Sequence, residues 1–215
     1  MTSWTINALK SRIESNGWKV VTLFGLKLER VISALACKWK PSLLIVDMPL
    51  LTDLDEDVFI LEVSGSLSKC IRSLSSICSD VKCIFYTALQ QYTSMQFHFP
   101  PIVRRFELRA KRAAISRLLL SEFKVLSTIA FAYGVERLII VSPVKCTNIM
   151  GKWLLLPYFP DVVAKISDAI FWVRKEKLCQ LKPELLSFTR EGACHPDLSE
   201  KLAFEILRNW SVAYS

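Results

Sequence analysis

The residues Leu43-Leu-Ile-Val46 form an unbroken apolar run, set between Pro41 and a stretch of acids. A run this short and continuous predicts a strand covered on both faces, because a strand with one wet face alternates apolar and polar residues. Trp18 to Phe24, Val81 to Thr87 and Arg137 to Val141 are further β-rich runs. Around them apolar residues recur at helical spacing. Ile6, Leu9 and Ile13 mark a helix over 5–16, and Leu28, Val31, Ile32 and Leu35 mark one over 27–37. Leu67, Cys70, Ile71, Leu74 and Ile77 predict a helix over 66–79. The longest helical segment runs over 102–133 to a stop at Gly134. The prolines of 144–160 read as a loop, 161–172 as a short helix, and 197–210 as a last helix behind Pro196. Strands alternating with helices predict an α/β domain with a mostly parallel sheet covered on both faces. The working end of such a sheet is the carboxyl end of its strands. Those ends are Gly25 to Arg30, Asp47 to Asp53, Thr87 to Tyr92 and Ser142 to Asn148.

A chain of 215 residues is one domain and buries a core without disulfide or metal staples. Its cysteine number is odd, seven, with no C-x-x-C pair, and only two histidines are present, which argues against a zinc site. No cofactor is called for. Free thiols fit a reducing compartment. The start of the chain has no signal-peptide core. The longest stretch without Asp, Glu, Lys or Arg, Cys83 to Val103, is broken by Gln90-Gln91, His98 and Pro100-Pro101. A cytoplasmic protein without a membrane span is the expectation.

Charge is more informative. Lys plus Arg number 28 against 20 acids, a net charge of +8. That surplus points to an anionic partner such as RNA. It is also segregated. Residues 47–62 hold Asp47, Asp53, Asp55, Glu56, Asp57 and Glu62 and no base. Their spacing does not fit a calcium loop and reads as solvated loop charge. Arg104, Arg105, Arg109, Lys111, Arg112, Arg117 and Lys124 meet only Glu107 and Glu122 within 104–124. On a helix Arg105, Arg109 and Arg112 share a face, and arginine suits bidentate phosphate contact. A second cluster is Arg174, Lys175 and Lys177. A third, Lys27, Arg30 and Arg190, falls near the predicted strand carboxyl ends. Tyr92, Phe97 and Phe99 are candidates for stacking on bases or for plugging a core edge. Trp153 and Tyr158 are open to the same two readings.

The stretch Phe188-Thr-Arg-Glu-Gly-Ala-Cys-His-Pro-Asp-Leu-Ser-Glu resembles the last block of the SGNH (GDSL-type) hydrolases, in which an aspartate precedes a histidine by three residues. His195-Pro196 and the following helix match, and Gly192 stands where the aspartate belongs. Gly25 aligns with the block that supplies an oxyanion-hole N–H. Pro49 to Asp53 aligns with the Gly-x-Asn-Asp block but lacks its Gly and Asn. Ser3 aligns with the nucleophile, without the strand that precedes it in the family. The resemblance implies a three-layer α/β/α, flavodoxin-like fold over one domain, 1–215. It also implies a domain that has lost catalysis, or one truncated before its first strand. Ser3 and His195 would act only in an active hydrolase, whose oxyanion hole and orienting carboxylate are both defective here. Among degenerate members the chain is similar to OSK domains, which bind RNA in germ plasm. The resemblance thereby implies a non-catalytic RNA-binding pseudoenzyme in mRNA localisation, with protein partners in a ribonucleoprotein assembly. The alternatives are a serine esterase or acyl hydrolase and a catalytically dead interaction scaffold.

Overall fold

The structure, a computed structural model, describes residues 3–25, 28–38, 43–47, 60–61, scattered helical positions between 113 and 132, and 136–142, 144–149 and 151–212. In chain order the elements are α1 (Ser3–Asn16), β1 (Val20–Gly25), α2 (Glu29–Lys38), β2 (Leu43–Asp47) and β3 (Ile60–Leu61). After the helical positions come β4 (Arg137–Ser142), β5 (Val144–Ile149), β6 (Lys152–Pro157) and α3 (Pro160–Ile166). The chain then forms β7 (Ala169–Val173), β8 (Leu178–Lys182), β9 (Leu186–Thr189), β10 (Gly192–Cys194) and α4 (Leu198–Val212).

The expectation of a mostly parallel, flavodoxin-like or SGNH-like sheet is corrected. The main sheet is mixed, in the order β10-β9-β8-β7-β1-β4-β2. Only β7, β1, β4 and β2 run parallel. Strands β8, β9 and β10 extend it antiparallel, and β3, β5 and β6 form a separate antiparallel sheet. Three sequence segments account for the difference. The segment 144–160 is not a loop but the β5–β6 hairpin, turning at Gly151 with φ 78°. Its prolines stand at the strand end, Pro157, and at the first turn of α3, Pro160, where neither breaks a ladder. The helix expected over 161–172 stops at Ile166, and Ala169 to Val173 become a fully buried strand. In that stretch Val162, Val163, Ile166 and Ile170 fit both periods, and the Ser167-Asp168 break decides between them. Residues 178–194 make short hairpin strands with charged turns, whose pattern is too brief for a period to register.

Alternation along β1 sorts the core. Val21 and Leu23 point to a cluster with Leu9 and Ile13 of α1 and Leu28, Val31, Ile32 and Leu35 of α2. Phe24 points to the other cluster, with Leu119, Phe123, Val162, Val163, Ala203 and Leu207. Helices therefore cover both faces of β1, which explains why so short a strand is buried on both faces. Each fully buried large side chain stabilises the fold by about 1.5–3 kcal/mol. Of the other expected elements, the helix over 66–79 and the strand Val81 to Thr87 lie outside the described residues. Trp18 to Phe24, Arg137 to Val141 and the last helix lie where β1, β4 and α4 form.

The lower, amino-terminal end of β1 is pinned by side chains. One carboxylate oxygen of Asp168 accepts the backbone N–H of Lys19 and of Val20, both at 2.9 Å. Lys182 Nζ donates to the carbonyls of Ala164 and Ser167, each at 2.6 Å, and so satisfies orphan carbonyls at the end of α3. Thr22 and Ser167 share a buried hydroxyl contact of 2.6 Å.

At the upper end Gly25 pairs with Val173 at φ 142°. A Cβ there would lie 2.1 Å from the Val173 carbonyl oxygen. Gly25→Ala is expected to cost at least about 2 kcal/mol in urea unfolding, from the disfavoured φ and the clash together. Gly151→Ala, where nothing lies within 4 Å, should cost about 1–2 kcal/mol from backbone conformation alone. Equal, small losses at both sites would contradict a close β1–β7 approach.

Candidate functional site

The carboxyl ends of the parallel strands are Gly25, Asp47, Ser142 and Val173. Residue by residue, this end is built as follows. Val173 runs into a turn closed by the Arg174 N–H donating to the Lys177 carbonyl at 2.9 Å. Trp172, buried, stacks on Phe24 of β1 with ring centroids 5.9 Å apart, and the Arg174 guanidinium lies 4.1 Å from the Trp172 ring. Two strands away, Arg190 and Glu191 form the turn between β9 and β10. On the other side of β1, Arg30 lies in the first turn of α2.

On the β7 flank this end holds a buried carboxylate. Glu200, in the first turn of α4, is 0% exposed. One of its oxygens accepts from Lys177 Nζ at 2.7 Å, Ser187 Oγ at 2.8 Å and the Asp197 N–H at 2.8 Å. The other accepts from Arg174 at 3.3 Å. Asp197 returns the favour by accepting the Glu200 N–H at 2.9 Å, which completes a capping box on α4. Arg174 also donates to Asp197 at 3.0 Å. A buried charge left alone would be prohibitive, and here two cations and two neutral donors compensate it. Burial alone would raise the Asp197 carboxyl. The Glu200 N–H and Arg174 outweigh that and hold it below its usual range. Burial alone would lower Lys177, but the hydrogen bond and charge of Glu200 outweigh it and raise the amine. Buried Cys179 lies against the same network, and burial pushes its thiol up to about 12. That makes it a poor nucleophile.

This network was legible as Asp197-Leu-Ser-Glu200, an acidic N-cap with Glu three residues on. Read only as the start of a helix, it hid the partners of Arg174 and Lys177. The structure shows these two cations, expected to touch phosphate, engaged with Asp197 and Glu200. Lys175 between them is exposed, as are Arg30 and Arg190, and none of the three has an ion pair with another described residue. Lys27, Arg104, Arg105, Arg109, Lys111 and Arg112 lie outside the described residues, as do Tyr92, Phe97 and Phe99. Arg117 and Lys124 are exposed on the helical positions whose opposite side buries Ser116, Leu119 and Phe123.

Ser3 and His195 are not brought together by any hydrogen bond. Ser3 is exposed at the first residue of α1, which packs on the Leu9–Ile13 side of the sheet. His195 is exposed after β10 and leads into α4, which packs on the opposite side. Glu191 is exposed in the turn before β10, and Gly192, in the position of the family's aspartate, adopts φ 126°. Among the described residues no group of three or more His, Cys, Asp and Glu side chains is arranged to hold a metal ion. Among them, too, no helix is long and apolar enough to cross a membrane. Comparison with family models, with curated proteins and with solved structures yields no match.

The network predicts a stability profile with two limbs. Because the folded carboxyl of Asp197 is depressed, its contribution is present above the ordinary carboxylate value of about 4 and is lost as pH falls through the lower, folded value. Because Lys177 is raised, its contribution is present below about 10.5 and is lost as pH climbs through the higher, folded value. Glu200→Ala leaves Lys177 and Arg174 facing an empty site and is expected to cost about 3–5 kcal/mol in thermal or urea unfolding at neutral pH. Asp197→Ala should blunt the acid limb. A Glu200→Ala protein as stable as the parent would show that the network does not hold α4.

Proposed function

We propose that the protein is a non-catalytic RNA-binding module and that its phosphate-contacting surface is the carboxyl end of the parallel strands. The observation that carries the reading is convergence. The clusters around Arg30 and Arg190 and around Lys175 are far apart in sequence, yet β1, β7 and β9 deliver them to one end of one sheet. Exposed Lys201, in the first turn of α4, adds a fourth cation there. Exposed Glu176 and Glu191 share the two turns, and Glu29 and Asp47 begin α2 and end β2, so the reading rests on where the four cations are placed and not on a net positive count. Asp197 and Glu200 do not add to the negative side, since Arg174 and Lys177 are bound to them.

Topology supports the same end. The chain leaves β1 toward β2 and β4 on one flank and returns through β7 on the other. In sheets of parallel strands, ligands bind beyond the carboxyl ends where the winding reverses in this way. The separation of Ser3 from His195 favours binding over hydrolysis. A role in germ-plasm mRNA localisation, within a ribonucleoprotein assembly in the cytoplasm, extends the proposal and rests on the OSK resemblance.

RNA binding by the purified chain should weaken steeply with salt, with a log–log slope of about −0.7 for each phosphate neutralised on a single strand. A triple Arg30/Lys175/Arg190→Glu protein should remain folded by circular dichroism and lose most of this binding. Affinity that does not change between 50 and 300 mM salt would contradict phosphate contact. Salt-sensitive binding retained in the triple variant would move the surface to 104–124. Labelling of Ser3 by a fluorophosphonate would instead mark an esterase.

A further inference from the structure

The two aromatic residues of 144–160 part company in the structure. Tyr158 is buried at 2% exposure, edge-on to Phe159 at 4.8 Å between centroids. Trp153 is 60% exposed, the highest value among the exposed large apolar side chains described. An exposed indole of this size loses favourable burial and is informative when its surroundings suit a ligand.

The surroundings are specific. Trp153 stands on β6, directly opposite Asn148 of β5, and Asn148 is exposed as well. Their pair is next to the hairpin turn at Gly151, while Leu154 and Leu156 on the other face of β6 anchor the strand in the core. The indole is therefore presented by a rigid strand and not by a loose loop. Residues 144–157 carry Lys145 and Lys152 and no acid at all, so the hairpin presents no carboxylate to an anionic strand. In the small sheet, among the described residues, β6 is one of the two edge strands.

The base of the hairpin lies at the carboxyl end of the parallel strands. It starts one residue after Ser142, which pairs with Phe24 at the carboxyl end of β1, and the Ser142 hydroxyl accepts the Tyr158 N–H at 2.9 Å where the hairpin returns. The basic turns after β7 and β9 and the β5–β6 hairpin thus leave the same end of the sheet on opposite flanks of β1.

We infer that Trp153 is a stacking platform for an unpaired base, with the Asn148 amide beside it to hydrogen-bond the base edge, so that the RNA recognised is single-stranded. This inference rests on the RNA-binding reading above. Aromatic faces take any base, and single-strand binders combine them with a basic track for the phosphates. The proposed ligand runs from the basic turns across the end of β1 to the hairpin.

The test uses the full chain, a labelled oligouridine and an RNA duplex of equal length. Single-stranded RNA should bind more tightly than duplex. Trp153→Ala should weaken oligouridine binding about 5- to 150-fold, the span of alanine substitutions at stacking sites, and leave duplex binding unchanged. Trp153→Phe, which keeps an aromatic face, should recover part of the loss. Tryptophan fluorescence should be quenched by oligouridine in the parent and much less in Trp153→Ala. The side chain is exposed, so its removal leaves the core intact, and unfolding of the variants by heat at the parental temperature checks this. Oligouridine binding that is equal in parent and Trp153→Ala overturns the platform and leaves the basic surface standing. Absence of binding to either RNA overturns both.

Discussion

Glu200 is the residue through which the upper end of the molecule is held together. Its carboxylate receives the turn after β7 through Arg174 and Lys177, the strand β9 through Ser187, and the first turn of α4 through the Asp197 N–H. A charge taken out of water in this way is tolerated only while every partner is present, so the arrangement is all-or-none. That property fixes the β7–β8 turn in space. It thereby fixes Lys175, which lies between the two cations the network uses.

The same constraint explains a division of labour among basic residues. Arg174 and Lys177 spend their charge internally, whereas Lys175, Arg30 and Arg190 are exposed. A stretch such as Arg174-Lys-Glu-Lys177 is uniform as a charge cluster in sequence, but its members differ in role. The distinction comes from the direction in which a four-residue turn sends successive side chains. Lys182 repeats the lesson at the opposite end, where a basic residue closes a helix by binding carbonyls.

How far the sequence revealed this fold depended on the length and purity of each pattern. The run Leu43 to Val46, the β-rich run Trp18 to Phe24 and the helical spacing of Ile6, Leu9 and Ile13 each have one reading, and β2, β1 and α1 lie there. The mixed character of the sheet was hidden because β8, β9 and β10 are too short to show a period and β7 follows α3 after only two residues. Pro157 and Pro160 masked the β5–β6 hairpin by looking like loop punctuation. Of the site, the basic clusters were visible and their convergence was not, since it requires knowing that β7 is beside β1. The Asp197–Glu200 box was readable and identifies the one carboxylate that removes two cations from the surface. Trp153 and Tyr158 were equivalent in sequence because burial is set by the fold: Trp153 is on the exposed face of β6, and Tyr158 follows the strand where the chain returns to Ser142.

The account rests on RNA lying across the carboxyl end of β1, between the basic turns and the β5–β6 hairpin. Photocrosslinking of a uridine-substituted single strand to the full chain, with the attached peptides mapped by mass spectrometry, tests this most directly. Crosslinks are expected in the peptides holding Arg30, Lys175, Arg190 and Trp153. Crosslinks confined to peptides that hold none of these four residues, or no crosslinks above background, would contradict it.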